Sequence, residues 1–316
     1  MKEIGGYFGL EQLVSNEYYK DLIGLNNGRN ALLYILKVKN IKKLYIPYYL
    51  CDSVSDMLKL YNYDYSYYNI DAEFMPIFND SLTDNEYLYV VNYYGQLTTD
   101  KIINLKQKYK QIIVDNSQAF FQKAIANVDT IYSCRKFFGV PDGAYLSTDA
   151  KIKEELMIDI SNKRMSHILG RYEGNAFDYY GDFKNNDESL NSEPLKYMSK
   201  LTQNILGAID YERVCKIRNE NYAYLKSKLS IHNKIRLITP DGAFAYPMYM
   251  ENGIKVRKAL IQNKIYIPVL WPNVLVNTPK NSLAYNYAAN ILPLPCDQRY
   301  IVTDIKHIVD SLKKYF

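Results

Sequence analysis

The sequence predicts an α/β protein, with a large, mostly parallel sheet domain sandwiched by helices and a smaller C-terminal α+β domain. Three observations carry this. Short β-rich runs alternate with helical patterns through the first half of the chain. A long helical stretch follows a polar break, and strand and helix patterns then alternate over a shorter span. Strand–helix alternation is the mark of parallel strands joined by covering helices. A length of 316 residues suits two such units, divided here as residues 1–190 and 191–316.

Taken in order, residues 44–47, 64–70, 87–92, 111–115, 129–133 and 144–147 are rich in β-branched and aromatic side chains and read as strands. Between them, residues 30–38, 53–61 and 101–108 space their apolar residues as helices do. Residues 181–193 are rich in Asn, Asp and Ser and read as a linker or long loop. Residues 195–229 keep helical spacing as one long or kinked helix, with Gly207 as a possible break. Beyond it, residues 243–250 and 264–269 read as strands, and 254–262, 283–290 and 303–315 as helices.

Composition excludes several classes. With 48% hydrophobic and 23% charged residues the chain is neither disordered nor fibrous. Lys plus Arg (39) exceed Asp plus Glu (34) by five, and the basic residues are scattered, so no nucleic-acid partner is expected. Apolar stretches such as residues 266–276 contain Pro and Asn and fall short of the ~20 residues of a membrane helix. Met1-Lys2-Glu3-Ile4-Gly5-Gly6 opens without an apolar signal core, so a cytoplasmic protein is expected. Cys51, Cys134, Cys215 and Cys296 lie far apart, without metal-ligand spacing, and read as free thiols. His167, His232 and His307 have no sequence-local partners and receive no role. The composition is unusual in its 33 Tyr against 11 Phe and one Trp.

Three local constellations carry chemistry. In Asn26-Asn27-Gly28-Arg29-Asn30-Ala31, either Asn26 or Asn27 can cap a helix whose start, bared by Gly28, offers N–H groups and the helix dipole to an anion; alone, such a start is as well read as a simple cap. In Ile112-Ile113-Val114-Asp115-Asn116-Ser117-Gln118, an apolar strand ends in a carboxylate at the sheet edge where α/β proteins bind ligands. That carboxylate can hold a cationic ring nitrogen, or merely cap the following turn. In Ser133-Cys134-Arg135-Lys136-Phe137-Phe138, a lysine between a cation and apolar residues follows a strand. Such neighbours raise the fraction of neutral, nucleophilic amine. Together the three describe a site for pyridoxal 5'-phosphate (PLP): phosphate cradle, partner for the ring nitrogen, and Schiff-base lysine.

The chain resembles the DegT/DnrJ/EryC1/StrS family of PLP-dependent sugar aminotransferases, in the fold type I superfamily of aspartate aminotransferase. The resemblance runs through nearly the whole chain: Gly5-Gly6-Tyr7-Phe8, the Asn27 to Leu32 helix start, Ile46-Pro47-Tyr48-Tyr49, Asn92-Tyr93-Tyr94-Gly95-Gln96, Asp115-x-x-Gln118, the Ser133 to Gly143 segment, and in the tail Ile265 to Pro268, Trp271-Pro272 and Leu294 to Tyr300. It implies Lys136 as the cofactor-bonding lysine, Asp115 as partner of the pyridine nitrogen and Gln118 as contact of the ring hydroxyl. Ser133 and the Gly28, Arg29 and Asn30 backbone would hold the phosphate. The Ser133–Lys136 interval is shorter than in relatives, and Arg135 would fill the gap as a second phosphate ligand. Where many relatives carry a ring-stacking aromatic, alignment through Pro47 gives Cys51; Tyr49 or Tyr94 would then stack. Tyr48, Tyr49, Tyr93 and Tyr94 cluster on segments expected near the cofactor. The segment through which relatives reach the neighbouring subunit's phosphate is not recognisable, and Leu195 to Ser199 stands near its position.

The resemblance implies a homodimer that moves an amino group from an amino acid, glutamate first, to a keto sugar on a nucleotide carrier, for amino-sugar or surface-polysaccharide biosynthesis. Two alternatives stand beside it: PLP chemistry on a small non-sugar carbonyl compound, and a low-turnover binding or sensory homologue.

Overall fold

The protein was described from a computed structural model covering residue 4 and residues 6–316. The first three residues and Gly5, which enter the signal-core reading and the Gly5-Gly6-Tyr7-Phe8 match, lie outside the described residues. The first half forms β1 (Ile23–Leu25), α1 (Gly28–Val38), β2 (Lys43–Pro47), α2 (Asp52–Leu60), β3 (Asp64–Ile70), β4 (Pro76–Ile77), β5 (Glu86–Val91), α3 (Thr99–Tyr109), β6 (Ile112–Asp115), β7 (Asp129–Ser133) and β8 (Ala144–Ser147). These strands make one sheet in the order β1-β8-β7-β6-β5-β2-β3-β4. Strands β3, β2, β5, β6 and β7 run parallel, and β8 turns antiparallel between β7 and β1. Helices cover both faces, which is why β6 reads Ile-Ile-Val without alternation and is buried at every position. No described helix is long and apolar enough to cross a membrane.

The chain continues through α4 (Ser166–Glu173), α5 (Tyr180–Ser192), α6 (Lys200–Gly207), α7 (Tyr211–Leu229), β9 (Tyr246–Tyr249), α8 (Gly253–Ile261), α9 (Pro272–Asn277), α10 (Leu283–Asn290), β10 (Ile291–Leu294) and α11 (Val302–Leu312). Three expectations are corrected here. Residues 181–193 are not a loop but most of α5, a helix polar nearly all round that buries only Asn186 and Leu190. Its stability comes from packing rather than from an apolar stripe. The long or kinked helix expected over 195–229 starts only at Lys200, because Tyr197 bridges to Leu25 and Ile158 and the Ser199 side chain caps α6, and it divides into α6 and α7 after Gly207, the break the sequence offered. Residues 264–269 bury Ile265 and Ile267 alternately but form no strand, since β9 takes β10 as its partner.

The main core lies under the large sheet, and α9 and α10 join it through Val274, Ala284, Tyr287 and Ala288. A second core gathers α7, β9, α8, β10 and α11. A third is aromatic: Tyr19, Phe120, Phe121, Tyr132, Phe137, Phe138, Tyr145 and Tyr211 pack together behind β7 and β8. Many of the surplus tyrosines are therefore core residues whose hydroxyls reach backbone carbonyls, as Tyr19 does to Phe120, Tyr68 to Tyr89 and Tyr93 to Tyr49.

Candidate active site

A cleft of about 660 Å³ opens at the carboxyl ends of the parallel strands. The topology delivers its lining: β1 runs into the start of α1, β2 into Leu50 and Cys51, β6 ends at Asp115, β7 ends at Ser133, and antiparallel β8 begins next to Gly143. Gly28, Arg29, Asn30, Cys51, Asp115, Gln118, Ser133, Arg135 and Lys136 all line this one cleft.

Asp115 is buried and both carboxylate oxygens are held. Oδ1 accepts from the Ser117 N–H at 2.8 Å, and Oδ2 accepts from the Tyr89 hydroxyl at 2.8 Å. Burial, and after it the charge of Asp115, pushes the Tyr89 phenol well above its ordinary pKa, so the phenol stays protonated and donates. Tyr89 reaches this place because Val91 pairs with Asp115 and residues two apart in a strand share a face. Gln118 is fixed from the other side, its Oε1 accepting from the Tyr94 N–H at 2.8 Å.

Lys136 ends a short 3-10 turn after β7, exposed in the cleft, with no hydrogen-bond or ion-pair partner among the described residues. The expected apolar sheath is absent, because Phe137 and Phe138 turn away into the aromatic core and anchor the turn from behind. Arg135 lines the cleft beside it and pairs through Nη2 with Asp187 Oδ1 at 2.8 Å.

At the helix start, Asn27 is the cap, its side chain accepting from the Asn30 N–H at 2.9 Å. Its Nδ2 is buried without a partner. The Asn30 side chain is spent on structure, donating to Asn26 Oδ1 and to the Glu193 and Pro194 carbonyls. Arg29 donates to Asn191 Oδ1 at 2.6 Å. Burial, then the neighbouring Arg135 charge, lowers the Arg29 pKa from its ordinary value. Asp187 and Asn191, one helical turn apart on α5, thus hold the two arginines in one wall.

The tyrosine expectations need correction. Tyr49 and Tyr94 do not line the cleft; both are buried behind it, with hydroxyls 3.5 Å apart and Tyr49 edge-on to Trp271 at 4.4 Å. Tyr93 is buried with them, and Tyr48 stacks on Tyr67 at the surface. The cleft's rings are Tyr61, Tyr89, Phe244 and Trp271, with Cys51 beside them. Residues 195–199 do not line the cleft, whereas Asp187, Leu190, Asn191 and Glu193 do. Sequence reading missed Tyr89 and this α5 wall; the period-two spacing of Tyr87, Tyr89 and Val91 was the available signal for the first.

Solved structures with this architecture include an aminotransferase of the same DegT/DnrJ/EryC1/StrS description from Brucella abortus. It is 13% identical with a TM-score of 0.63, over 93% of this chain and 85% of that one. The fold is that of the DegT/DnrJ/EryC1/StrS aminotransferases. S. venezuelae DesV is similar at 16% identity and TM-score 0.63, over 93% of this chain and 84% of that one. NtdA from Bacillus subtilis, solved with bound cofactor PMP, is similar at 14% identity and TM-score 0.65, over 93% of this chain and 73% of that one. No family model and no curated protein matches the sequence. In the DegT/DnrJ/EryC1/StrS fold of this chain, the cleft lies at the carboxyl edge of the parallel strands, with Phe244, Leu270 and Trp271 reaching it from the C-terminal part of the chain.

Proposed function

We propose that the chain is a PLP-dependent aminotransferase that takes an amino group from glutamate and delivers it to a keto sugar on a nucleotide carrier, in amino-sugar or surface-polysaccharide biosynthesis. One observation carries this reading: a single cleft holds the exposed amine of Lys136, an anchored carboxylate on Asp115, the capped start of α1 with Arg29, and Arg135 from the Lys136 turn. The donor set fits the cofactor. The orphaned Asn27 Nδ2 and the α1 N-terminus suit a phosphate, and an anion there would offset the repulsion between Arg29 and Arg135.

Bound PLP supplies an electron sink that lets the carbon bearing the amino group lose a proton. Arg29, Arg135, Ser133 and the α1 N–H groups would hold the phosphate, and Gln118 the ring hydroxyl. Asp115 keeps a proton on the ring nitrogen, and Tyr89 and Ser117 keep Asp115 in place. Lys136 Nζ would be the amine that bonds the cofactor and the base that moves the proton in the cleft. We also read the protein as a homodimer; apolar side chains at Tyr7, Phe8, Tyr172 and Phe177, exposed by 86% or more, support that reading.

Protein reconstituted with PLP should be yellow, and glutamate should bleach the band. A colourless protein that cannot be reconstituted would overturn the proposal; a yellow one unmoved by any amino donor would leave cofactor binding and remove transamination. Arg135→Met should weaken PLP about tenfold to hundredfold, the worth of a charge-assisted hydrogen bond, measured by absorbance titration. Unchanged affinity would take the phosphate away from this end of the cleft.

A further inference from the structure

Arg218, on α7, is only 1% exposed, and no carboxylate lies within ion-pair distance of it among the described residues. Asp297, the acid nearest in sequence to its partners, is spent on Arg299 at 2.7 and 2.8 Å. Arg218 instead uses every guanidinium nitrogen on neutral acceptors. Nε donates to Gln298 Oε1 at 2.8 Å, Nη1 to the Ala243 carbonyl at 2.8 Å, and Nη2 to the Phe137 carbonyl at 3.3 Å. The guanidinium also lies 4.5 Å from the centroid of the Phe137 ring. Gln298 completes the figure by donating from Nε2 to the same Phe137 carbonyl at 2.7 Å.

Burying a cation without a carboxylate in direct contact is costly, and an apolar side chain would pack there more cheaply. Its pKa is lowered by that burial. What the fork provides is geometry. It ties the peptide next to Lys136 to Ala243, whose neighbour Phe244 lines the cleft, and to the segment after β10.

We propose that Arg218, seconded by Gln298, is a positioning residue that fixes the Lys136 turn against the second core. This rests on Lys136 being the nucleophile, as proposed above. A misplacement of about 1 Å at a reacting group can cost on the order of a hundredfold in rate. In the full-length holoprotein, Arg218→Met should lower kcat by about tenfold to a hundredfold with little change in the donor KM. Arg218→Lys, which keeps the charge but not the fork, should recover only part. In cofactor-free protein, trinitrobenzenesulfonate should label Lys136 at a rate changed by about threefold or more, with other lysines unaffected. Should Arg218→Met fail to fold, Gln298→Leu removes the shorter bond to the Phe137 carbonyl and gives the same readouts. Folded variants with wild-type kcat and wild-type Lys136 labelling would overturn the proposal, even if their melting temperature fell. If wild-type protein never bonds PLP at Lys136, the proposed function fails, and the labelling arm alone still decides the role of Arg218.

Discussion

Lys136→Ala is expected to leave a folded protein that has lost its covalent hold on PLP and about 10⁴-fold or more of its transamination rate. The expectation of an intact fold follows from the site. The Lys136 side chain is exposed in the cleft and has no hydrogen-bond or ion-pair partner among the described residues, while Phe137 and Phe138 hold the turn from the aromatic core. Truncating it should change stability by no more than about 0.5 kcal/mol, as for other exposed side chains. The proposed phosphate end at Arg29, Arg135 and α1 is untouched, so PLP should still bind, reversibly. Borohydride reduction followed by peptide mass spectrometry should place the cofactor on Lys136 in the wild type and leave the variant unmodified. A variant that keeps a reducible link, or that transaminates at a rate near the wild type's, would show that another amine does the work.

How far the sequence discloses this site depends on which interactions build each part. The α1 start, Asp115 and Lys136 are legible because local rules place them: a capped glycine helix start, a carboxylate at the end of an apolar strand, and a lysine after the next strand. The α5 wall is not legible, because Asp187 and Asn191 find Arg135 and Arg29 across more than fifty residues of chain and the helix has no apolar stripe. Tyr49 and Tyr94 mislead for a related reason. Their segments do run along the carboxyl edge, but the rings turn into the core against Trp271 and toward each other. Arg218 was half legible: it stands between Val214 and Tyr222 on the buried stripe of α7, where a charge needs an explanation.

Asp115→Asn separates the two halves of the chemistry. The exchange is nearly isosteric, and its hydrogen bonds can be re-made. The amide oxygen can accept from the Ser117 N–H as Oδ1 does now, and the amide nitrogen can face the Tyr89 hydroxyl, which can turn to accept. The fold should therefore persist, and so should the borohydride-fixed link at Lys136. What is lost is the negative charge proposed to keep the ring nitrogen protonated, a loss expected to cost about 10²–10³-fold in rate. Tyr89→Phe removes only one donor to that carboxylate and should cost far less, about tenfold. The order of the three variants is the test: Lys136→Ala loses both link and rate, Asp115→Asn keeps the link and loses rate, and Tyr89→Phe keeps the link and most of the rate. Transamination by Asp115→Asn at a rate near the wild type's would mean that a different carboxylate faces the ring nitrogen, and the cleft offers Asp52 and Asp187 as the next to try.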